Sequence, residues 1–139
     1  MKANEIILGT YVYFNCFDGS KIVVRVTGFN DGIVYGDSKN GSHWCNIKNV
    51  EPIPLTPEIL EKNEFKPYIP ENHLETIYAC QDVSKAVANE LYALWSYQDG
   101  SFYLLLRVGG KDMVRMDVHY IHQIQHALRL CGIEKTIEL

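Results

Sequence analysis

No stretch of this 139-residue chain approaches the roughly 18 consecutive apolar residues of a membrane helix, which argues against a helical span. An excess of positive charge is missing too. Split at Ile53, the front part holds five basic and five acidic residues and the remainder eight and twelve, for a net charge of −4. Such a balance lacks the cationic field that a phosphate backbone needs, so nucleic-acid binding is disfavoured. The four cysteines, Cys16, Cys45, Cys80 and Cys131, include no C-x-x-C pair, the short spacing usual for zinc. Zinc ligands would have to be brought together by folding. The glycines never form G-x-G-x-x-G or G-x-x-x-x-G-K-[ST], so no nucleotide cradle is written here. Asn4 and Glu5 stand where a signal peptide would be apolar. The expectation is a cytoplasmic protein with reduced thiols and no cofactor. Internal repeats and low-complexity segments are absent.

What the chain has in quantity is turn chemistry. Asp18-Gly19, Asp31-Gly32, Asn40-Gly41, Asp99-Gly100 and Gly109-Gly110 each separate two β-rich stretches. Such pairs supply the positive φ angles of two-residue hairpins. The strands between them read Tyr11–Cys16, Lys21–Thr27, Ile33–Tyr35, His43–Ile47 and Val50–Ile53. Ile22, Val24 and Val26 alternate with Arg25 and Thr27, the period of a half-buried strand. Short strands on tight turns predict an SH3-like small β-barrel or a curled meander over residues 1–53.

Residues 54–70 read as a Pro-rich connector. Pro52, Pro54 and Pro57 cannot donate to a ladder and end the sheet. Thr56 then caps a short helix from Pro57 to Asn63, and Lys66 to Pro70 reads as loop. Residues 71–139 form an α+β lobe, expected to make one unit with the front part. His73–Asn89 fits a helix and a strand equally well. Glu90–Tyr97, Ser101–Val108 and Asp112–Val118 predict an antiparallel meander, packed by a helix over His119–Cys131. Gly132 and Ile133 suit a Schellman ending, and Thr136–Leu139 suits a short added strand. The fold class is therefore α+β.

Four constellations could carry chemistry. His119, His122 and His126 lie within about 60° on the last helix, a geometry that could bind zinc or nickel or move a proton. Ile121, Ile124, Leu128 and Cys131 form the opposite, apolar stripe, which turns the histidines outward and favours a plain polar face. His43 and Cys45 share one side of a strand, but no orienting group or oxyanion hole accompanies them, and a buried cysteine serves as a small hydrophobe. The front glycines are turn and bulge residues. Tyr11, Tyr13, Tyr35, His43 and Trp44 could line a groove of the kind peptide-binding modules use, about half of them being needed for the core.

Three segments together resemble a known group. They are Leu8-Gly9-x-x-Val12, the run Glu51-Pro52-Ile53-Pro54-Leu55-Thr56-Pro57-Glu58-Ile59-Leu60-Glu61-Lys62-Asn63, and Tyr120-Ile121-His122-Gln123-Ile124-Gln125. In this order they resemble small uncharacterised proteins of Bacteroides-type genomes and their prophages. Those proteins begin with a G-N-x-V-like strand, carry P-I-P-L-T-x-E-x-L before a Gly-Phe pair, and close with a Y-V-H-Q-L-Q-N-L helix. Thr10, Glu64 and His126 replace the group's Asn, Gly and Asn. With Glu64 in place of glycine, Asn63 is expected to take the left-handed position, unless the helix ends differently. The resemblance implies a prophage or mobile-element context and brings no activity or cofactor. It places His122, Gln123 and Gln125 in the group's own motif, as binding residues or as a polar cap tethering helix to sheet; the cap is favoured.

The leading expectation is a non-enzymatic binding protein with a protein partner. The alternatives are a nucleic-acid-associated accessory protein and a metal-dependent enzyme using the helix histidines. A long exposed strand edge also leaves a homodimer open.

Overall fold

The computed structural model describes residues 1–68, 75–80, 89–96, 100–108, 111–130 and 132–139. Its first sheet is built from β1 (Tyr11–Asn15), β2 (Lys21–Asn30), β3 (Ile33–Ser38), β4 (Gly41–Asn46) and β5 (Val50–Pro52). The order is β4-β3-β2-β1-β5, antiparallel throughout. Local chemistry explains the hairpins. Asp31 and Gly32 both hold positive φ (48° and 77°), as a type I′ turn demands. At Gly36 a Cβ would stand 2.9 Å from the Arg25 carbonyl oxygen, so glycine lets β2 and β3 approach beside the bulge at Val26–Gly28.

Inward positions of this sheet are filled mainly by valine: Val12, Val24, Val26, Val34 and Val50 surround Phe14, with Ile22, Cys45 and Ile47 at the margin. The N-terminal segment covers this core. Met1 and Ile6 pack on it, and the Met1 ammonium donates to the Val50 carbonyl at 3.2 Å. The sheet curls but does not close, because β4 and β5 are its two edges and do not pair. Of the two forms expected, the curled meander is the one observed.

The prolines end β5 at Pro52, yet the chain keeps its backbone satisfied. Ile53 O accepts from Ile121 N at 3.0 Å and Leu55 N donates to His119 O at 2.9 Å. Prolines at alternate positions leave intact the polar groups between them, which bridge to the entry of the last helix at Pro54–Tyr120. Helix α1 (Pro57–Lys62) then starts as expected, with Thr56 Oγ1 accepting from Ile59 N at 3.4 Å and Pro57 in the first turn. Of the two endings expected, the second is observed. Asn63 stays at φ −92°, and Glu64 takes the left-handed position at φ 62°.

The second sheet holds β6 (Phe65–Tyr68), β7 (Glu75–Cys80), β8 (Asn89–Ser96), β9 (Phe102–Val108) and β10 (Lys111–Val118), in the order β10-β9-β8-β7-β6. The three-stranded meander is present with two further strands beside it. Lys66, Pro67 and Tyr68, expected in a loop, belong to β6, an edge strand where proline is tolerated. The second sheet thus begins inside the segment read as connector. Of the ambiguous stretch, Glu75–Cys80 is strand and Asn89 opens β8; His73, Leu74 and residues 81–88, like Tyr97, Asp99, Gly109-Gly110 and Cys131, lie outside the described residues.

Helix α2 (Ile121–Leu130) packs Ile121, Ile124 and Leu128 into a core with Leu55, Leu60, Phe65, Tyr78, Phe102, Leu104 and Val118. It ends in the expected Schellman pattern. Gly132 N donates to Arg129 O at 3.0 Å and Ile133 N to Leu128 O at 2.9 Å. Tyr11 and Tyr13, on the outward face of β1, also pack on this core and so join the two sheets. Among the described residues, no helix is long and apolar enough to cross a membrane.

Candidate functional site

The curl of the first sheet brings β1 and β4, three places apart in the strand order, to opposite walls of one groove of about 430 Å³. Four consecutive residues of β4, His43 to Asn46, line one wall. Side chains of a strand alternate between faces, so four in a row can line a groove only where it wraps a free edge. The other wall is Phe14 to Phe17, the end of β1 and the turn beyond it. Phe14 and Ile22 supply an apolar floor. The rims are aromatic: Phe17 is fully exposed and Trp44 is 70% exposed. Lys48, in the 3-10 turn Ile47–Asn49 that leads into β5, is the one Lys, Arg, Asp or Glu in the lining. That turn is pinned by Asn46, whose side chain accepts from Lys48 N at 3.1 Å.

The groove holds the His43–Cys45 pair but not as a nucleophile. The Cys45 thiol is pushed up to about 11, chiefly by burial and further by the neighbouring Cys16. A thiol that resists ionisation is the opposite of what nucleophilic attack requires. His43 Nε2 is engaged by Ser38 Oγ at 2.7 Å. Both Cys16 and Cys45 are free.

The aromatic residues singled out in the sequence do not share one groove. Trp44 and His43 line it. Tyr35 pairs with Trp44 across β3–β4 and is partly exposed on the outer face. Tyr13 packs on the second core under the Lys21 ammonium, 5.7 Å from the ring centre. Tyr11 donates its hydroxyl to the Glu138 carboxylate at 2.7 Å, which raises its own pKa.

The helix residues divide as well. His119 and His126 are exposed, but His122 is buried, against the expectation of one outward histidine face. Its ring stacks on Tyr120 with centres 5.7 Å apart, and its Nδ1 has no hydrogen-bond partner among the described residues. Among the described residues no three His, Cys, Asp or Glu side chains come together to hold a metal. Gln123 caps the helix start: its Oε1 accepts from His119 N at 2.7 Å and Tyr120 N at 3.1 Å. Gln125 is a clamp. Its Nε2 donates to Lys135 O and its Oε1 accepts from Ile137 N, both at 2.7 Å. Asn63 repeats the device one step on, donating to Glu138 O at 2.8 Å and accepting from Glu138 N at 2.7 Å. The C-terminal segment is therefore not the short strand expected. Two buried amides serve it in place of a neighbouring strand, while Ile137 fills the core.

Sequence reasoning missed Phe17, Cys16, Asn46 and Lys48. One signal was legible: an aromatic residue directly before Asp18-Gly19, where a hairpin tip is normally polar. No family model, curated protein or solved structure matches the chain.

Proposed function

We propose that this chain is a non-enzymatic binding module acting through protein contacts, with the groove between β1 and β4 as its contact site. The observation that carries the reading is the placement of Phe17 and Trp44, two large aromatic side chains held in solvent at the rims of an apolar groove. Exposed aromatics around a desolvated centre are the usual anchors of protein interfaces. In this reading the open side of the curled meander, where β4 faces the end of β1, is the binding surface. The resemblance to Bacteroides-type prophage proteins supplies the context, a cytoplasmic accessory of a mobile element.

The test is selection from a displayed library of short linear peptides, followed by titration of the winners. Phe17→Ala and Trp44→Ala should each weaken binding at least tenfold without changing the circular dichroism. Winners that bind both variants as well as the parent would place the contact site elsewhere and overturn the reading.

A further inference from the structure

The groove's walls are unfinished sheet. β4 pairs with β3 on one side, and among the described residues its other edge has no backbone partner. On the facing wall the β1–β5 pairing ends at Phe14 and Val50, so beyond Phe14 that side of β1 has no strand against it among the described residues. An open edge of this kind is a template for another chain. Native proteins blunt such edges with charge or proline, and β4 carries neither: its sequence is Gly-Ser-His-Trp-Cys-Asn. The groove that wraps the edge has an apolar floor, aromatic rims and a single lysine.

We propose that the groove takes an extended acidic-apolar peptide segment as an added strand. Its backbone pairs with the free edge of β4. One bulky apolar side chain sits on Phe14 and Ile22, between Phe17 and Trp44. A carboxylate on a neighbouring residue meets Lys48. Main-chain pairing provides most of the affinity, and the aromatic slot and the lysine provide the choice of sequence. The acidic preference follows from the lining, whose one formal charge is positive. This inference rests on the reading of the groove as a protein-contact site.

The test uses the full chain and defined peptides. Acetyl-TVEFEVT-amide places apolar and acidic side chains on alternate faces; acetyl-TVKFKVT-amide is its basic counterpart. Calorimetric titration should show the acidic peptide binding at least tenfold more tightly, and Lys48→Glu should reverse that order. Two further versions of the acidic peptide carry N-methyl groups on alternate amides, one set for each edge. Methylating one edge should cost tenfold or more, and methylating the other should cost little. Equal binding of acidic and basic peptides, or indifference to methylation of both edges, overturns the added-strand proposal. If such binding still depends on Phe17 and Trp44, the contact-site reading survives. An octathymidylate that binds through the same two aromatics more tightly than any of the peptides overturns both in favour of base stacking.

Discussion

Glu64 is the residue where this chain departs most plainly from what its position asks. It follows α1 at φ 62°, a conformation that costs a non-glycine residue about 1–2 kcal/mol, and among the described residues its exposed carboxylate is spent on a contact with Lys135 at 3.2 Å. Surface ion pairs of this kind contribute little. Glu64→Gly is therefore expected to stabilise the chain by about 1 kcal/mol in urea unfolding; a loss of stability would show that the Lys135 contact matters more than the backbone strain. Gly36 is the opposite case. A methyl group there meets the Arg25 carbonyl at 2.9 Å and Val24 Cγ2 at 3.0 Å, so Gly36→Ala should cost about 1–3 kcal/mol by forcing β2 and β3 apart. An unchanged midpoint would mean the bulge absorbs the change. His122 gives the residue scale its pH dependence. Burial holds its pKa below 6.5, His126 and the N-terminal ammonium push the same way, and Glu5 opposes them. The unfolded chain thus takes a proton near 6.5 while the folded one still resists it. Stability should fall as pH drops through 6.5 and level off below the lowered value. His122→Leu should flatten that dependence between pH 7 and 5, and an unaltered slope would assign it to another group.

Among the elements, the C-terminal segment is the one least visible in the sequence. The expectation of a strand over Thr136–Leu139 came from its β-prone composition, which registers only that the segment is extended. Its partners are the side-chain amides of Gln125 in α2 and of Asn63 just past the end of α1, and no periodicity announces such a pairing. Gln125→Ala should expose or orphan Lys135 O and Ile137 N and cost about 2 kcal/mol. Hydrogen exchange at the Ile137 amide should quicken with it; unchanged protection there would show that the segment is held without Gln125. The hairpins were legible because Asp-Gly and Asn-Gly impose positive φ locally, whatever the rest of the chain does. β6 was not, because Pro67 reads as a breaker unless one knows that its strand lies at an edge. The inward turn of His122 was also hidden. Ile121 and Ile124 are buried on either side of it, and the N-terminal segment that accounts for its Glu5 neighbour comes from the far end of the sequence. Phe17 and Trp44 were present as letters, but only the curl of the sheet sets them on one groove.

At the scale of the whole molecule, two cores of different make-up share one strand. The first is mostly valine inside a curled sheet; the second is built of Ile, Leu and aromatic residues between a sheet and two helices. β1 serves both, sending Val12 and Phe14 inward and Tyr11 and Tyr13 outward onto the second core. Tyr11 also reaches the C-terminal segment through Glu138, and Arg129 of α2 donates to the Leu8 carbonyl just before β1. These contacts tie the folding of one core to the other, so the chain should unfold as a single cooperative unit. Native-state hydrogen exchange tests this with Val24 and Val34 reporting on the first core, and Leu104 and Ile124 on the second. In the parent chain all four amides should approach the same opening free energy. Replacing Tyr11 and Tyr13 with alanine removes the shared packing while leaving each sheet's own ladder intact, so Val24 and Val34 should then open at lower free energy than Leu104 and Ile124. If all four still move together in that variant, the coupling runs through the Pro54–Tyr120 bridge and the N-terminal segment instead of the tyrosines.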